Sequence, residues 1–198
     1  MTAYPVEKTL KDGTKVNLIE IHPGDEERLL AFFKELPLSE RQYLRMDVTV
    51  LDNLRKRLNP GPFERVFTLA AETGGKIVAE AMLTGPTAGW MRHTSEVRCI
   101  VHPDMRKRGL GDLLLWEIFR KSVADKYRLI FCELVSEQST GIQVLEKLGF
   151  KRVLTRRNHV KDITGCKRDL HIFIMDIQEM WNELQNHFQT MDTNFERY

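Results

Sequence analysis

Six residues, Arg106-Lys107-Arg108-Gly109-Leu110-Gly111, place three cations and two glycines in one short stretch. Glycines at the fourth and sixth positions let the backbone turn with successive N–H groups pointing one way. A helix starting near Gly111 adds its positive end. The chemistry implied is anion binding. The spacing matches neither GxGxxG nor GxxxxGK[ST], so dinucleotide and P-loop readings do not fit. Taken alone, the stretch also describes a tight strand-to-helix turn with solvated charges. Three carboxylates accompany it. Glu80 lies within the apolar run KIVAEAML, where a charge needs a reason; its alternation partners Val78 and Met82 put it toward a core-side cleft. Glu96 opens the run EVRCIV that leads into the glycine loop. Glu133, in LIFCEL, is a third candidate.

Other chemistries find less support. Cys99, Cys132 and Cys166 form no CxxC pair, which argues against a zinc ribbon. Cys99 and Cys132 sit in apolar runs and read as buried free thiols of a reducing compartment. The six histidines make no HxxxH or similar pair, so no metal is expected. Thirty basic and 28 acidic residues leave a net charge of +2, which argues against a nucleic-acid partner. Local basic clusters stand at Arg55–Arg57, Arg106–Arg108 and Arg156–Arg157. No stretch reaches the ~18 apolar residues of a membrane span, and the N-terminus has no apolar signal core. These features predict a cytoplasmic protein.

The positioning elements follow from pattern. Residues 14–21 alternate as a first strand. Asp25 caps a helix whose apolar face is Leu29, Leu30, Phe32, Phe33 and Leu36, and Pro37 ends it. Short helices follow from Ser39 and over Thr49–Leu58. Three strands come next, Arg65–Ala71, Lys76–Leu83 and Glu96–Val101, the first two joined by a hairpin loop Glu72-Thr73-Gly74-Gly75. Leu110 to about Lys126 is helical. Leu129–Leu134 is a continuous apolar run, predicted to be a central strand buried on both faces. Thr140–Leu148 is a helix with Gly149 as its left-handed cap. Strands opening at Phe150 and over Asp169–Ile177 precede a helix from Gln178 to Gln189. This order predicts one α/β (α+β) domain over 1–198, three layers deep, with residues 178–198 a helical extension.

The run EVRCIVHPDMRKRGLGDLLL resembles the acyl-CoA signature of the GNAT superfamily of N-acyltransferases, an (R/Q)xxGx(G/A) loop after a strand ending V-x-P. A second match, VLEKLGF at Val144–Phe150, resembles the family's helix-to-strand element. The resemblance covers about residues 14–177 and is specific over 96–150. The N-terminal run is also similar to the bacterial protein-lysine acetyltransferase branch, through its DG-x-x-V strand, its helix start and Ser39…Arg45. The resemblance implies a mixed, mostly antiparallel sheet of about seven strands, with Glu96–Val101 and Leu129–Leu134 a splayed parallel pair. It implies acetyl-CoA as cosubstrate. Its pantetheine arm would pair with backbone groups of Cys99, Ile100 and Val101, and its pyrophosphate would rest on the N–H groups of Arg106, Lys107, Arg108, Gly109, Leu110, Gly111 and Asp112. Gln138 falls where many relatives place a cofactor-contacting asparagine.

The same resemblance assigns Glu96 as general base, by its spacing of ten residues before Arg106, with Glu80 the competitor. A lysine amine with pKa ~10.4 costs ~4.6 kcal/mol to hold neutral at pH 7, so a base is valuable. A thiol leaving group near ~8.5 needs only ~2 kcal/mol of help. Leu145, standing where many relatives carry an acid tyrosine, is therefore tolerable. The acceptor is an amine, of a protein lysine or of a small molecule. A non-catalytic acyl-CoA sensor is the reading of a different class. Met180, Trp181, Leu184, Phe188 and Met191 make the terminal helix apolar, to pack on its own sheet or to form a homodimer contact.

Overall fold

The computed structural model describes residues 3–180. The chain begins with a short strand β1 (Val6–Thr9) that turns back into β2 (Lys15–Ile21). Three helices follow: α1 (Glu26–Glu35), α2 (Leu38–Arg41) and α3 (Leu51–Leu58). Strands β3 (Glu64–Thr73), β4 (Lys76–Pro86) and β5 (Thr94–Val101) run consecutively. Then come α4 (Leu110–Ala124), β6 (Leu129–Val135), α5 (Ser139–Lys147), β7 (Lys151–Lys161) and β8 (Lys167–Asp176). All eight strands form one sheet in the order β1-β2-β3-β4-β5-β6-β8-β7. Only β5 and β6 are parallel. The expected count of about seven strands is thus exceeded by one. The extra strand is β1, whose four residues VEKT carry no apolar stripe and which pairs at the sheet edge with β2.

Helices cover both faces. On one, α4 and α5 bury Leu110, Leu114, Ile118 and Leu145 against Val97, Ile130 and Phe173. Ala79 and Ala81, fully buried on β4, leave room for α4 to approach the sheet. On the other face, α1 and α3 bury Leu29, Phe32, Phe33 and Leu54 against Ile21 and Ala70. These helices come from the chain's first third and sit over its first strands. They leave the second face of β6 partly open: Leu129, Phe131 and Glu133 are half-buried there and only Val135 is buried, whereas on the α4 face Ile130 and Cys132 are buried and Leu134 half-buried. The expectation of a strand buried on both faces is corrected accordingly. An unbroken apolar run does not by itself say how much lies over each face.

Turn chemistry follows the sequence closely, with one exception. Gly74 and Gly75 both take positive φ, joining Thr73 to Lys76 in a two-residue hairpin turn. Asp25 does precede α1, but its carboxylate accepts from the His22 amide at 3.1 Å and pairs with Arg28. No side-chain hydrogen bond caps the helix start. The terminal helix predicted from Gln178 lies, beyond Met180, outside the described residues, as does the dimer contact proposed for it.

Candidate active site

The site begins where the parallel pair comes apart. β5 and β6 are hydrogen-bonded only at Thr94–Leu129, Ser95–Ile130 and Glu96–Phe131. Beyond that rung β5 keeps its antiparallel partner β4 as far as Val101, and β6 keeps β8 as far as Val135. The two strands therefore diverge, and the facing backbone edges of Cys99–Val101 and Glu133–Val135 border a cavity of about 950 Å³. Its lining includes Cys99, Ile100, Val101, Arg106, Lys107, Gly109, Leu110, Gly111, Asp112, Glu133 and Gln138.

One end of the cavity is the glycine loop. A one-turn 3-10 helix at Pro103–Met105 carries the chain out of β5. Lys107 has φ 61° and Gly109 φ 84°, two left-handed residues that follow the extended Arg106 and flank Arg108. Left-handed residues of this kind turn backbone N–H groups toward a shared concavity. Gly109 is the N-cap of α4. A side chain there would be strained by φ and would bring a Cβ to 3.3 Å from Lys11 Cε. The first-turn amides of α4 have no intrahelical acceptor, and among the described residues nothing accepts from Gly109, Leu110, Gly111 or Asp112 N–H.

The basic side chains of the loop divide their tasks. Arg106 is occupied by the protein: its guanidinium makes a two-pronged pair with Glu40 at 2.9 and 2.6 Å, its Nε donates to Val101 O, and its amide donates to Pro103 O. It anchors α2 to the loop and leaves no amide for an anion. Arg108 does not line the cavity. It turns to the β1–β2 hairpin, pairing with Asp12 at 2.9 Å and donating to Thr14 Oγ1. Lys107 does line the cavity. Sequence reasoning put all three cations at the anion, because local spacing shows charge but not the distant carboxylates that claim it.

At the fork stand the carboxylates. Glu96 ends the last paired rung and is held by Arg98 at 2.7 Å. Arg45, from the segment after α2, reaches both Glu96 and Glu133. Glu80 shares the face of Glu96 but is only 3% exposed, paired with the buried Arg57 beneath α3. Like Glu96, it lies outside the cavity lining, to which Glu133 alone of the three carboxylates belongs. Gln138 caps α5 and commits its Oε1 to the Val135 amide at 2.8 Å, which leaves its NH2 toward the cavity. Leu145 is buried in the core beside the cavity. The segment Ser39–Met46, expected from the sequence to line an acceptor cleft, does line the cavity through Ser39, Gln42, Tyr43 and Arg45, and His159 of β7, given no role by sequence reasoning, joins them. Nothing near His159 in sequence marks it. The far wall is braced by Arg168, which pairs with Glu137 before α5 and with Asp162 at the β7–β8 turn. The Thr164 hydroxyl above all, with Arg168 and two amides, holds Asp162 down to about 2.

Among the described residues no three His, Cys, Asp or Glu side chains are grouped to hold a metal. No described helix is long and apolar enough to cross a membrane.

Solved structures share this architecture. The acetyltransferase of the GNAT family from Streptococcus pneumoniae superposes with a TM-score of 0.68 at 19% identity, covering 82% of this chain and 99% of that one. The GNAT domain of S. lividans PAT gives 0.69 at 19% identity, covering 87% and 97%. The yncA protein of Salmonella typhimurium, solved with its cofactor acetyl-CoA, gives 0.66 at 18%, covering 83% and 95%. These likenesses show the fold. No curated protein matches the sequence. The profile described as the acetyltransferase (GNAT) family matches residues 27–150, more than half the chain, from the first turn of α1 to just past the end of α5. The splayed strands, the amide-lined loop and that match lead to one conclusion: the chain belongs to the GNAT family of acetyltransferases and is an enzyme that uses acetyl-CoA.

Proposed function

We propose that this protein moves an acetyl group from acetyl-CoA to a primary amine by direct attack, with a protein lysine as the favoured acceptor and Glu96 as general base. The observation that carries the reading is a single cavity bordered by free amides at one end and, at its fork, by Glu133 and by Arg45, which also reaches Glu96. The residues present fit the cofactor. The β5 edge over Cys99, Ile100 and Val101, where Arg106 Nε already holds Val101 O, can pair with an amide-bearing arm as an added strand would. The amides of Lys107, Arg108, Gly109, Leu110, Gly111 and Asp112 suit a pyrophosphate. Gln138 offers an NH2 donor on the opposite wall. When bound, acetyl-CoA supplies an electrophilic thioester carbonyl.

Glu96 suits the base role better than Glu80. A base must reach the proton it takes, and Glu80 is sealed beneath Arg57 and α3. A lysine ammonium must shed a proton at a cost of ~4.6 kcal/mol at pH 7, and Glu96, 27% exposed at the last β5–β6 rung, is joined through Arg45 to Glu133 in the cavity wall. Leu145 can protonate nothing. The thiolate then departs with no acid at that position, at a cost of ~2 kcal/mol. This residue is also what favours the second reading, a protein that binds acetyl-CoA without turning it over.

The test is thiol release from acetyl-CoA with wild type and Glu96→Gln, over lysine peptides, polyamines and amino acids. The base reading expects wild type to release thiol with one amine class. It expects Glu96→Gln to lose at least about 100-fold in kcat, the lower range for general-base loss, while binding acetyl-CoA unchanged. Binding by both proteins with turnover by neither would select the sensor.

A further inference from the structure

One guanidinium stands where a substrate cation would have to go. Arg45 Nη2 pairs with Glu133 Oε2 on β6 and lies 3.4 Å from Glu96 Oε1 on β5, while its Nη1 lies 3.4 Å from Glu96 Oε2. The two carboxylates belong to the fork itself. Glu96 is paired with Phe131 in the last rung, and Glu133 follows two residues later on the same face of β6. Arg45 thus spans the gap that opens as the strands part.

The electrostatics are simple. Two carboxylates face two guanidinium groups, Arg45 and Arg98. Arg98 belongs to β5 and stays with Glu96 at 2.7 Å. Arg45 is the one described cation on Glu133. It is also the part of the cluster free to leave. Its side chain is 52% exposed, and residues 42–50 between α2 and α3 carry no helix or strand. Withdrawing it breaks no ladder and leaves the cluster one positive charge short. An alkylammonium restores that charge and supplies up to three N–H donors to the same oxygens.

We infer that Glu133 and Glu96 together form the docking point for the acceptor's ammonium, and that Arg45 is a built-in stand-in which the acceptor must displace. The inference rests on the acetyltransferase reading and narrows it. The acceptor is an amine that arrives charged on an alkyl stem. An amine with a carboxylate beside it, as in a free α-amino acid, is refused by the two glutamates. Glu133 is a specificity-determining residue, and Arg45 competes with substrate from within the chain.

Two substitutions with opposite expected signs test this. Butylamine, the lysine stem without its backbone, is the probe, and acetyl-CoA binding is measured separately by calorimetry. Arg45→Ala should lower the KM for butylamine about fivefold or more. Glu133→Gln should raise it about tenfold or more. Neither should shift acetyl-CoA affinity. If the ion pair merely anchors the loop, both changes free the same segment and KM moves in the same direction in both variants, which overturns the inference. It is overturned as well if Arg45→Ala binds acetyl-CoA yet is no better than wild type toward butylamine. If wild type itself fails to bind acetyl-CoA, the acetyltransferase reading falls first, a result visible before any amine is added.

Discussion

Cys99 and Cys132 both line the cavity, so a covalent route through an acetylated thiol needs a physical answer. Only the thiolate is nucleophilic. Burial, with Glu96 adding to it, pushes the Cys132 thiol up to about 12, and burial beside Glu80 pushes Cys99 well above the ordinary thiol range. At neutral pH both are protonated. Cys99→Ala and Cys132→Ala are therefore expected to keep kcat within about threefold, a far smaller loss than the removal of a true nucleophile. Denaturing mass spectrometry after incubation with acetyl-CoA should find no adduct on either cysteine; an acetyl group on one of them would restore the covalent route. At this scale the sequence was legible where function follows local spacing. The glycine loop and the position of Glu96 at the start of β5 could be read directly. Arg45 could not, because its carboxylates lie 51 and 88 positions away. Nor could Glu40, which claims Arg106 across 66 positions. Such pairs exist only once the strands are ordered.

Elements were legible when one local interaction sets their ends. The close of α5 is the clearest case. Gly149 takes φ +91°, its amide donates to Glu146 O, and the Phe150 amide donates to Leu145 O at 3.0 Å. These two bonds, with Phe150 and Leu145 buried in the same core, make a complete Schellman end. A Cβ at Gly149 would meet no atom within 4 Å, so the whole cost of Gly149→Ala comes from the backbone. It should be about 1 kcal/mol, a fall of roughly 2–4 °C in Tm for a chain of this size. A thermal melt would show it, and an unchanged Tm would mean the turn relaxes to another conformation. β1 and the open face of β6 were illegible for the opposite reason. A four-residue strand with alternating charge has no periodic signal to detect. The covering of β6 depends on where α1 to α3 come to rest, which LIFCEL does not encode. β1 matters to function all the same, since its hairpin to β2 receives Arg108 and presents Lys11 to the loop.

At the scale of the whole molecule, a continuous eight-stranded sheet is parted in its middle. Its two halves are joined there by three rungs of β5–β6 pairing, and a cavity of about 950 Å³ occupies the gap. Whatever fills that gap with backbone hydrogen bonds also joins the halves. Ligand binding should therefore act as a staple on the native state. Occupancy at about one hundred times Kd adds ~2.7 kcal/mol to stability, which corresponds to roughly 5–10 °C in Tm. The two ends of the cavity contribute separately. Acetyl-CoA can engage both the β5 edge and the amides from Lys107 to Asp112, whereas S-acetylpantetheine lacks the pyrophosphate that those amides suit. At equal concentration acetyl-CoA should raise Tm by several degrees more than S-acetylpantetheine does, and the excess should shrink in Gly109→Ala, where a strained left-handed alanine disturbs the amide array. Equal shifts from the two ligands would mean that the loop holds no anion, and the stabilisation would then belong to the opened strands alone.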